Sequence, residues 1–515
     1  MRLLRFLLTT LIVVALAIFV LRWSHPLPAL PDGASSTAKP ASENTRLGSS
    51  ILPLMAKYEG LSGVVPLADG RDGLAARILL ARAADETIDL QYYIWQTDTT
   101  GWLLMDELRA AAERGVRVRL LLDDNGIPGL DNVLAVLDAM ENFEVRIFNP
   151  FTMRKPKLLS YTFDFFRLNR RMHNKSMTVD GVATVVGGRN IGDIYFAYGE
   201  GTAYFDFDVL AVGEAARDVS ADFDAYWSSG SSYDAGDVLP PSDGGLAELA
   251  AAVAKANASA RGSEYADAVT TAPVLSRILA GEDVMEWTTV TLVSDDPAKG
   301  LGEAEDEALL VGLLPRLVAQ PTTRIDLVSA YLIPGKASTE MLERYVAEGI
   351  RVRLVTNSLE ATDVPVVHSA WMGYRNRLVR AGAEVLELRA HPRMKSDPSL
   401  AQLLTGSQSS LHAKTFSIDG ERIFIGSFNF DPRSTSLNTE MGFLIESPAI
   451  ATALSRTLDR SETFYKVTET TDGAIRWTEV GSNGETLTHD NEPNTGAIER
   501  SIVRFMSRLP IEWIL

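Results

Sequence analysis

The chain repeats a long pattern of residues once, at a nearly constant separation. In each copy a strand pattern precedes an amphipathic helix pattern, a glycine and a second strand pattern. The first copy begins at Ile88 with its glycine at Gly115, and the second begins at Ile325 with its glycine at Gly349. A repeat of this length indicates a duplicated domain and not a solenoid of short units. Its strand–helix–strand units predict an α/β fold with parallel or mixed sheets covered by helices.

Both copies also carry the same four polar residue types at offsets 0, 2, 7 and 17. They are His173, Lys175, Asp180 and Asn190 in the first copy, and His412, Lys414, Asp419 and Asn429 in the second. Residues two apart on a strand point to the same face, so each histidine is expected to share a face with its lysine. The Asp-Gly that ends each strand predicts a tight turn. The returning strand then brings the asparagine back beside the histidine.

A phosphodiester is a substrate that can use this set of groups twice. Lysine and asparagine donors stabilise the charge that develops on oxygens bound to phosphorus. One neutral histidine can attack phosphorus and form a phosphohistidine, while the other, protonated, donates to the departing alcohol. The two lysines supply the positive charge, so we expect no metal and no cofactor.

A structural interpretation competes with this chemical one. A single His-x-Lys on a strand is usually an exposed pair, but two matching copies in a chain with only 6 histidines make that interpretation improbable. For Asp180 and Asp419 the better interpretation is a turn residue that bonds nearby backbone. Both aspartates nevertheless remain among the candidate catalytic residues.

Composition excludes several other classes of site. The 515 residues include no cysteine, which rules out disulfides, thiolate metal sites and a cysteine nucleophile. The net charge of −18 disfavours non-specific binding to nucleic acid, because phosphates need local positive potential. We therefore expect no nucleic-acid partner.

The N-terminus predicts contact with a membrane. Arg2 and Arg5 precede an uncharged, mostly apolar run from Phe6 to Leu21, which Arg22 closes. This run is at the short end for a membrane-spanning helix and slightly long for the core of a signal peptide. We favour an uncleaved anchor that leaves the body outside the cytoplasm, with a cleaved signal peptide as the alternative.

The repeated motifs resemble the HKD motif of the phospholipase D superfamily. The flanking stretches Arg-Met-His-Asn-Lys-Ser, Gly-Gly-Arg-Asn-Ile-Gly-Asp-Ile-Tyr-Phe and Gly-Ser-Phe-Asn-Phe-Asp-Pro-Arg-Ser are similar to those of bacterial cardiolipin synthases of the C type. The resemblance covers nearly the whole body of the chain. It implies two phospholipase D-like α/β domains related by a pseudo-twofold axis, with one active site between them. It also implies a phosphatidyl group held on histidine and then transferred to an acceptor alcohol.

The resemblance also suggests roles for individual residues. It implies that His173 is the nucleophile and His412 the acid, although the residues themselves do not rank the two. Family members carry a carboxylate downstream of each motif that orients a histidine, and Glu440 fits this role in the second copy. Asp206 is the matching residue in the first copy, with Asp208 as an alternative on the same strand face.

Three functions are compatible with these motifs. The first is cardiolipin synthase-like phosphatidyl transfer between phospholipids, with phosphatidylglycerol and also phosphatidylethanolamine as candidate substrates. The second is hydrolysis by a phospholipase D or a nuclease, and the third is a catalytically inactive lipid-binding scaffold. The N-terminal anchor favours the first, in the bacterial inner membrane with a periplasmic body. The need for an accessory protein is left open.

The sequence predicts six segments along the chain. They are a signal anchor or signal peptide (1–23), a linker (24–55), a first domain (56–235), a connector (236–285), a second domain (286–470), and a C-terminal hairpin and helix (471–515). The turn of that hairpin is predicted at Ser482-Asn483-Gly484. A cluster of basic and aromatic residues at 154–171 suits an anionic bilayer surface, and a solvated face with core aromatics is an equal alternative.

Overall fold

The computed structural model describes residues 2–30, 36–196, 205–272, 276–278, 280–317, 320–390, 410–459, 462–481, 484–509 and 512. Within these ranges the strands form two mixed sheets. The first sheet contains β1 (Ser62–Leu67), β2 (Thr87–Ile94), β3 (Arg117–Gly126), β4 (Phe143–Phe148), β5 (Ser176–Val179), β6 (Ala183–Gly187), β7 (Asp208–Gly213), β8 (Ser232–Asp234) and β9 (Glu286–Thr288). The second contains β10 (Val290–Ser294), β11 (Arg324–Ser329), β12 (Arg351–Asn357), β13 (Glu384–Leu388), β14 (Lys414–Ile418), β15 (Arg422–Gly426), β16 (Met441–Ile445), β17 (Phe464–Glu469), β18 (Ile475–Val480) and β19 (Thr486–His489).

The α-helices of the described ranges are distributed along both halves. They are α1 (Arg2–Ser24), α2 (Arg46–Lys57), α3 (Gly70–Ala83), α4 (Thr99–Glu113), α5 (Asp131–Asp138), α6 (Tyr161–Leu168), α7 (Glu214–Trp227), α8 (Ala235–Val238), α9 (Gly245–Asn257), α10 (Ala260–Thr271), α11 (Leu310–Leu317), α12 (Gly335–Ala347), α13 (Pro365–Ala381), α14 (Pro432–Ser436), α15 (Pro448–Leu458) and α16 (Ala497–Met506). The strand–helix–strand units predicted from the repeat are thus present as β2–α4–β3 and β11–α12–β12.

The two sheets share one topology. Their strand orders are β8-β4-β3-β2-β5-β6-β7-β1-β9 and β10-β16-β15-β14-β11-β12-β13-β17-β18-β19. In each sheet three parallel strands adjoin an antiparallel run of three, β2 to β7 in the first and β11 to β16 in the second. Reading the second order from β17 to β10, eight strands correspond in order and direction to eight of the first sheet. The predicted α/β duplication is confirmed.

The two halves pack against each other through their antiparallel strands. One buried apolar cluster contains Val186 and Val209 of the first half together with Ile423, Ile425 and Phe443 of the second. Burial of these side chains from both sides stabilises one shared interface. The motif strands β5 and β14 each pair with a strand at this interface, β6 or β15, so the interface brings the two motifs together.

The Asp-Gly turns adopt the conformation that their residue types favour. Asp180 and Gly181 have φ of 52° and 63°, and Asp419 and Gly420 have φ of 55° and 69°. Two consecutive residues with positive φ make a hairpin turn whose twist matches that of the strands. Each aspartate also accepts hydrogen bonds from three consecutive backbone N–H groups at the start of the neighbouring strand: residues 85–87 for Asp180, and 322–324 for Asp419.

The predicted linker is partly folded. Leu47 and Ile51 of α2 are fully buried in the core of the first domain, and the side chain of Thr45 caps the helix. Their spacing of one helical turn places both apolar side chains on one face, which packs against the domain. Residues 31–35 lie outside the described ranges.

The connector belongs structurally with the first half. Helices α9 and α10 pack against α3, α4 and α5, and Glu286–Thr288 pairs with β1 as the edge strand of the first sheet. We therefore propose that the domain boundary lies at Thr289 and not at residue 286. At the C-terminus, β18 and β19 form the predicted hairpin and extend the second sheet, and α16 follows them. Ser482 and Asn483 of its turn lie outside the described residues.

Helix α1 is long and apolar enough to cross a membrane. Its window Leu4–Ser24 has a mean hydropathy of 2.7, and none of that window is buried against the rest of the protein. A helix with 21 residues in this window matches the thickness of a bilayer core. The finding is consistent with the predicted membrane anchor.

The two turn aspartates are expected to differ in their contribution to stability. Asp180 is 2 % exposed, whereas Asp419 is partly exposed. Replacing Asp180 by alanine removes the acceptor of three N–H groups, of which that of Thr87 is buried, so we expect the free energy of unfolding to fall by about 3 kcal/mol. For Asp419→Ala we expect the free energy of unfolding to fall by only about 1 kcal/mol, because water can replace the carboxylate there. Chemical denaturation in detergent micelles measures both, and equal losses would contradict this account.

Candidate active site

The two motif histidines lie just before the strands that were predicted to contain them. Strand β5 begins at Ser176 and β14 at Lys414, so His173 and His412 occupy the extended segments that lead into these strands. Ser176 pairs with Val186 across the hairpin, which places the segment 173–175 beside the end of β6 and the residues up to 190. The expectation that each asparagine returns next to its histidine agrees with this register.

Backbone contacts between the two halves fix the position of both histidines. The N–H of His173 donates to the carbonyl of Thr439 at 2.9 Å, and the N–H of His412 donates to the carbonyl of Phe205 at 2.9 Å. Thr439 and Phe205 are the residues immediately before Glu440 and Asp206. Each histidine is therefore held beside a carboxylate of the other half.

Side-chain contacts complete this crossed arrangement. His173 Nδ1 lies 2.8 Å from Glu440 Oε2, and His412 Nδ1 lies 2.5 Å from Asp206 Oδ2. A carboxylate on Nδ1 favours the tautomer in which Nδ1 carries the proton. The Nε2 atom of each ring then retains its lone pair and is available for chemistry. Both histidine residues are only 7 % exposed.

Asp208, the alternative to Asp206, has a different set of partners. Its carboxylate forms ion pairs with Arg77 at 2.9 Å and with Arg189 at 3.4 Å, in a buried cluster. These arginines compensate its charge and hold β7 against α3. The geometry thus favours Asp206 as the carboxylate of the first copy.

Two buried lysines bring positive charge to the site. Lys175 donates to the backbone carbonyl of His173, and Lys414 donates to that of His412. Lys414 Nζ also lies 3.0 Å from His412 Nδ1. Burial lowers the pKa of Lys175 to about 7, even though the carboxylate of Glu440 opposes this shift. Burial lowers the pKa of Lys414 as well.

Both imidazoles favour the neutral form. Burial and the charge of Lys175 lower the pKa of His173 well below its ordinary value. Burial and the charge of Lys414 lower the pKa of His412 to about 4, with the anion of Asp206 opposing them. Near neutral pH both rings are therefore uncharged, and a nearby substrate anion would raise either pKa.

The two carboxylates differ from each other. Burial raises the pKa of Glu440 to about 6, although Lys175 and hydrogen bonds from Ser427 (2.5 Å) and Ser434 (2.6 Å) oppose the shift. Burial also acts on Asp206, but the contact with His412 and the charge of Lys414 outweigh it and hold the pKa of Asp206 below its usual range. Asp206 therefore has the lower pKa of the two and stays ionised to a lower pH than Glu440.

The motif asparagines are buried and only partly hydrogen-bonded. Asn190 Oδ1 accepts from the backbone N–H of Ile94 at 3.1 Å, while its Nδ2 has no partner among the described residues. Asn429 is 3 % exposed, and its Oδ1 has no partner within the same ranges. Buried amide atoms without a partner are rare, and at a site they suit an oxygen or hydroxyl of a ligand.

The candidates Asp180 and Asp419 lie at the opposite end of the motif strands. Seven residues of extended chain separate each from its histidine, or about 23 Å at 3.3 Å per residue. Their carboxylates bond backbone N–H groups there. The structure therefore does not bring them to the reacting groups, in agreement with the turn interpretation.

Two positioning residues were missed by the sequence interpretation. Asp123 Oδ2 accepts from the N–H of Met172 at 2.8 Å, and Asn357 Oδ1 accepts from the N–H of Leu411 at 2.8 Å. Both acceptors therefore hold the residue that precedes a motif histidine. Extending the repeat along β3 and β12 would have aligned Asp123 with Asn357 and made them visible.

Other polar residues have purely structural surroundings. His368 is 3 % exposed, and its Nε2 lies 3.5 Å from Glu492. No group of three histidine or acidic side chains that could hold a metal occurs within the residues described above.

Comparisons with known proteins agree with this geometry. Residues 78–227 and 314–461 match the family described as "Cardiolipin synthase, PLD-like domain". The chain is similar to cardiolipin synthase C of Escherichia coli (strain K12), with 44 % identity over 91 % of this chain and 100 % of that protein. It is also similar to a cardiolipin synthase of Oceanobacillus iheyensis, with 24 % identity over 76 % of this chain and 67 % of that protein.

A solved structure supports the fold. The crystal structure of phosphatidylserine synthase from Haemophilus influenzae Rd KW20 superposes with a TM-score of 0.53 and 12 % identity. The match covers 90 % of this chain and 99 % of that one. At this level of identity the likeness concerns the arrangement of the two sheets.

The pKa of Lys175 predicts how the site binds a tetrahedral anion. Because the pKa is about 7, the charged fraction of Lys175 falls as pH rises from 6 to 8. Sulfate keeps one charge state over this range, so we expect its dissociation constant to rise about tenfold. Isothermal titration calorimetry measures the constant, and Lys175→Met should remove the pH dependence. A wild-type constant that does not change between pH 6 and 8 would contradict the assignment.

Proposed function

Because the chain belongs to the cardiolipin synthase family of phospholipase D-like proteins, we propose that it is a phosphatidyltransferase that forms cardiolipin. The crossed pairs His173–Glu440 and His412–Asp206 carry this proposal. They leave two reactive Nε2 atoms in one site, which is what double displacement at a phosphodiester needs. An inactive scaffold has no use for two buried lysines whose desolvation must be compensated.

In the first step Nε2 of His173 attacks the phosphorus of the donor lipid. The bond between phosphorus and the oxygen of the head-group alcohol breaks, and the electron pair leaves with that oxygen. His412, which is protonated once the anionic donor lipid raises its pKa, gives its Nε2 proton to the alcohol and becomes neutral. The phosphatidyl group is now bound to His173, and Lys175 and Lys414 balance the charge on its free oxygens.

In the second step a hydroxyl of the acceptor lipid takes the place of the departed alcohol. Its oxygen attacks phosphorus while His412 accepts its proton, and the bond between phosphorus and His173 breaks. The product carries two phosphatidyl groups joined through the head-group alcohol of the acceptor, and both histidines return to their initial states. Asn190 and Asn429 are proposed to donate to the free oxygens of phosphorus during both steps.

The different carboxylates support the assignment of the two histidines. Asp206 has the lower pKa of the two carboxylates and lies 2.5 Å from His412. Its negative charge stabilises the imidazolium form that His412 needs to act as the acid. Burial and the charge of Lys175 keep His173 neutral, and Glu440 holds its ring in orientation. A neutral ring is the form that can attack phosphorus.

We assign the substrates and location by the same reasoning. Phosphatidylglycerol provides both a phosphatidyl group and a free hydroxyl, so it can serve as donor and acceptor. Phosphatidylethanolamine is proposed as a second donor. Helix α1 would retain the enzyme in the bacterial inner membrane, where both lipids are found, with the body in the periplasm.

A lipid analysis tests the reaction. Purified protein in mixed micelles with phosphatidylglycerol, with and without phosphatidylethanolamine, should produce cardiolipin that mass spectrometry detects. The rate of cardiolipin formation should fall at least about 1,000-fold in His173→Ala and in His412→Ala, because each substitution removes one partner of the double displacement (about 4 kcal/mol). His489→Ala serves as the control, because His489 lies on β19 at the edge of the second sheet.

The products distinguish the candidate functions. Phosphatidic acid without cardiolipin would indicate hydrolysis and contradict transfer. Near-normal rates in His173→Ala or His412→Ala would contradict a shared site. A complete absence of turnover with either lipid mixture would favour a scaffold.

A further inference from the structure

The segment 157–168 joins the end of helix α1 to the active site. It consists of a short 3-10 helix, Lys157–Ser160, followed by α6. Helix α1 packs against α6, and the ring of His25 lies 6.0 Å from that of Phe163. The described residues of α1 up to Val20 are exposed, whereas Leu21 and the residue that follows the helix, His25, are partly buried. The body therefore meets α1 at its C-terminal end, where a spanning helix leaves the bilayer.

This segment exposes four large apolar side chains. Leu158 and Phe166 are 76 % and 78 % exposed, and Leu159 and Phe165 are 45 % and 37 % exposed. The inward side of the segment is already filled by Phe163 and Leu168, which are buried. The outward residues are thus not needed for the core, and together they form an apolar patch beside the anchor.

Four of the six basic residues between positions 154 and 171 are paired with carboxylates of the protein. Lys157 lies 2.8 Å from Asp124, and Arg154 is bonded to Asp131 at 2.5 Å. Arg167 is bonded to Asp164 at 2.6 Å. The sequence had suggested attraction of this cluster to an anionic surface. Ion pairing by neighbouring carboxylates leaves the apolar side chains as the main groups offered to a membrane.

The segment is fixed to both halves of the active site. Asn169, which directly follows α6, accepts a hydrogen bond from Arg433 of the second domain at 2.8 Å. Arg433 adjoins Ser434, which bonds Glu440. On the other side the chain runs from α6 directly to His173. A displacement of the segment would therefore reach the residues that position Glu440 and His173.

We propose that segment 157–168 is a second membrane contact, which inserts Leu158, Leu159, Phe165 and Phe166 into the interface of the bilayer that α1 spans. We assign the lipid surface as the partner of this patch, because its apolar side chains are exposed next to the end of α1, where the spanning helix leaves the bilayer. Two contacts fix the orientation of the body, where one helix alone would leave it free to rotate. The inference rests on the proposed function for its purpose, which is to present the active site to lipid head groups.

Fluorescence quenching tests the contact in the full-length chain. The protein has no cysteine, so Phe166→Cys gives one labelling site for an environment-sensitive dye. Leu487→Cys is the matched control, since Leu487 is 54 % exposed on β19 of the second domain. In vesicles of phosphatidylcholine alone, brominated lipid should quench the label at 166 at least twice as strongly as the label at 487, by a rough estimate for insertion at interfacial depth.

The other outcomes each contradict the proposal. Equal quenching of both labels by aqueous iodide would show that the patch stays in water. A label at 166 shielded from iodide and from brominated lipid would indicate a protein partner or a second copy. Quenching that requires phosphatidylglycerol would indicate electrostatic docking in place of apolar insertion.

Activity gives an independent readout of the same contact. The double variant Leu158→Ser/Phe166→Ser should lower turnover of vesicle lipid several-fold, whereas Leu487→Ser should not. Quenching needs no turnover, so a chain that inserts but makes no cardiolipin would contradict the proposed function and leave the membrane contact intact. An undiminished rate in the double variant would contradict the role of the patch in presenting the site.

Discussion

The crossed contacts between each histidine and the carboxylate of the other domain are the constraint on which the site depends. Neither domain contains a complete set: the first provides His173 and Asp206, and the second provides His412 and Glu440. Backbone hydrogen bonds alone, from His173 to Thr439 and from His412 to Phe205, already place each histidine beside the other domain's carboxylate. Duplication of a domain is thus sufficient to create the site only when the two copies pack face to face.

The electrostatics of the site follow from the same packing. Two lysines, two carboxylates and two imidazoles are buried together, and their charges compensate each other at a cost in desolvation. Burial lowers the pKa of both lysines and both histidines. The arrangement is accordingly prepared for an anionic substrate, whose charge would restore the protonated lysines and the protonated His412 that transfer requires.

The sequence was sufficient to predict the features that repeat. The α/β duplication, the Asp-Gly turns and the four motif positions could be found because matched offsets reveal them in one chain. The carboxylates were harder to predict, because the number of residues between Asn190 and Asp206 differs from that between Asn429 and Glu440. No local pattern distinguishes Asp206 from Asp208, and only the tertiary contacts of each with histidine or arginine do so.

Other features depended on packing that a pattern of residue types does not contain. The folding of α2 within the predicted linker depends on the core of the first domain, in which Leu47 and Ile51 are buried. The pairing of Arg154 and Lys157 with aspartates from distant positions changed the interpretation of the basic cluster. Asp123 and Asn357 act through backbone N–H groups, so their residue types alone gave no signal.

A rapid-quench experiment with a radiolabelled phosphatidyl donor tests the crossed site most directly. We expect the label to appear on the peptide that contains His173, and to appear more slowly in Glu440→Gln even though Glu440 belongs to the other domain. Asp206→Asn should also slow the labelling, because His412 protonates the departing alcohol in the same step, and the label should still appear on His173. Label on the His412 peptide, or an unchanged rate in Glu440→Gln, would contradict the account.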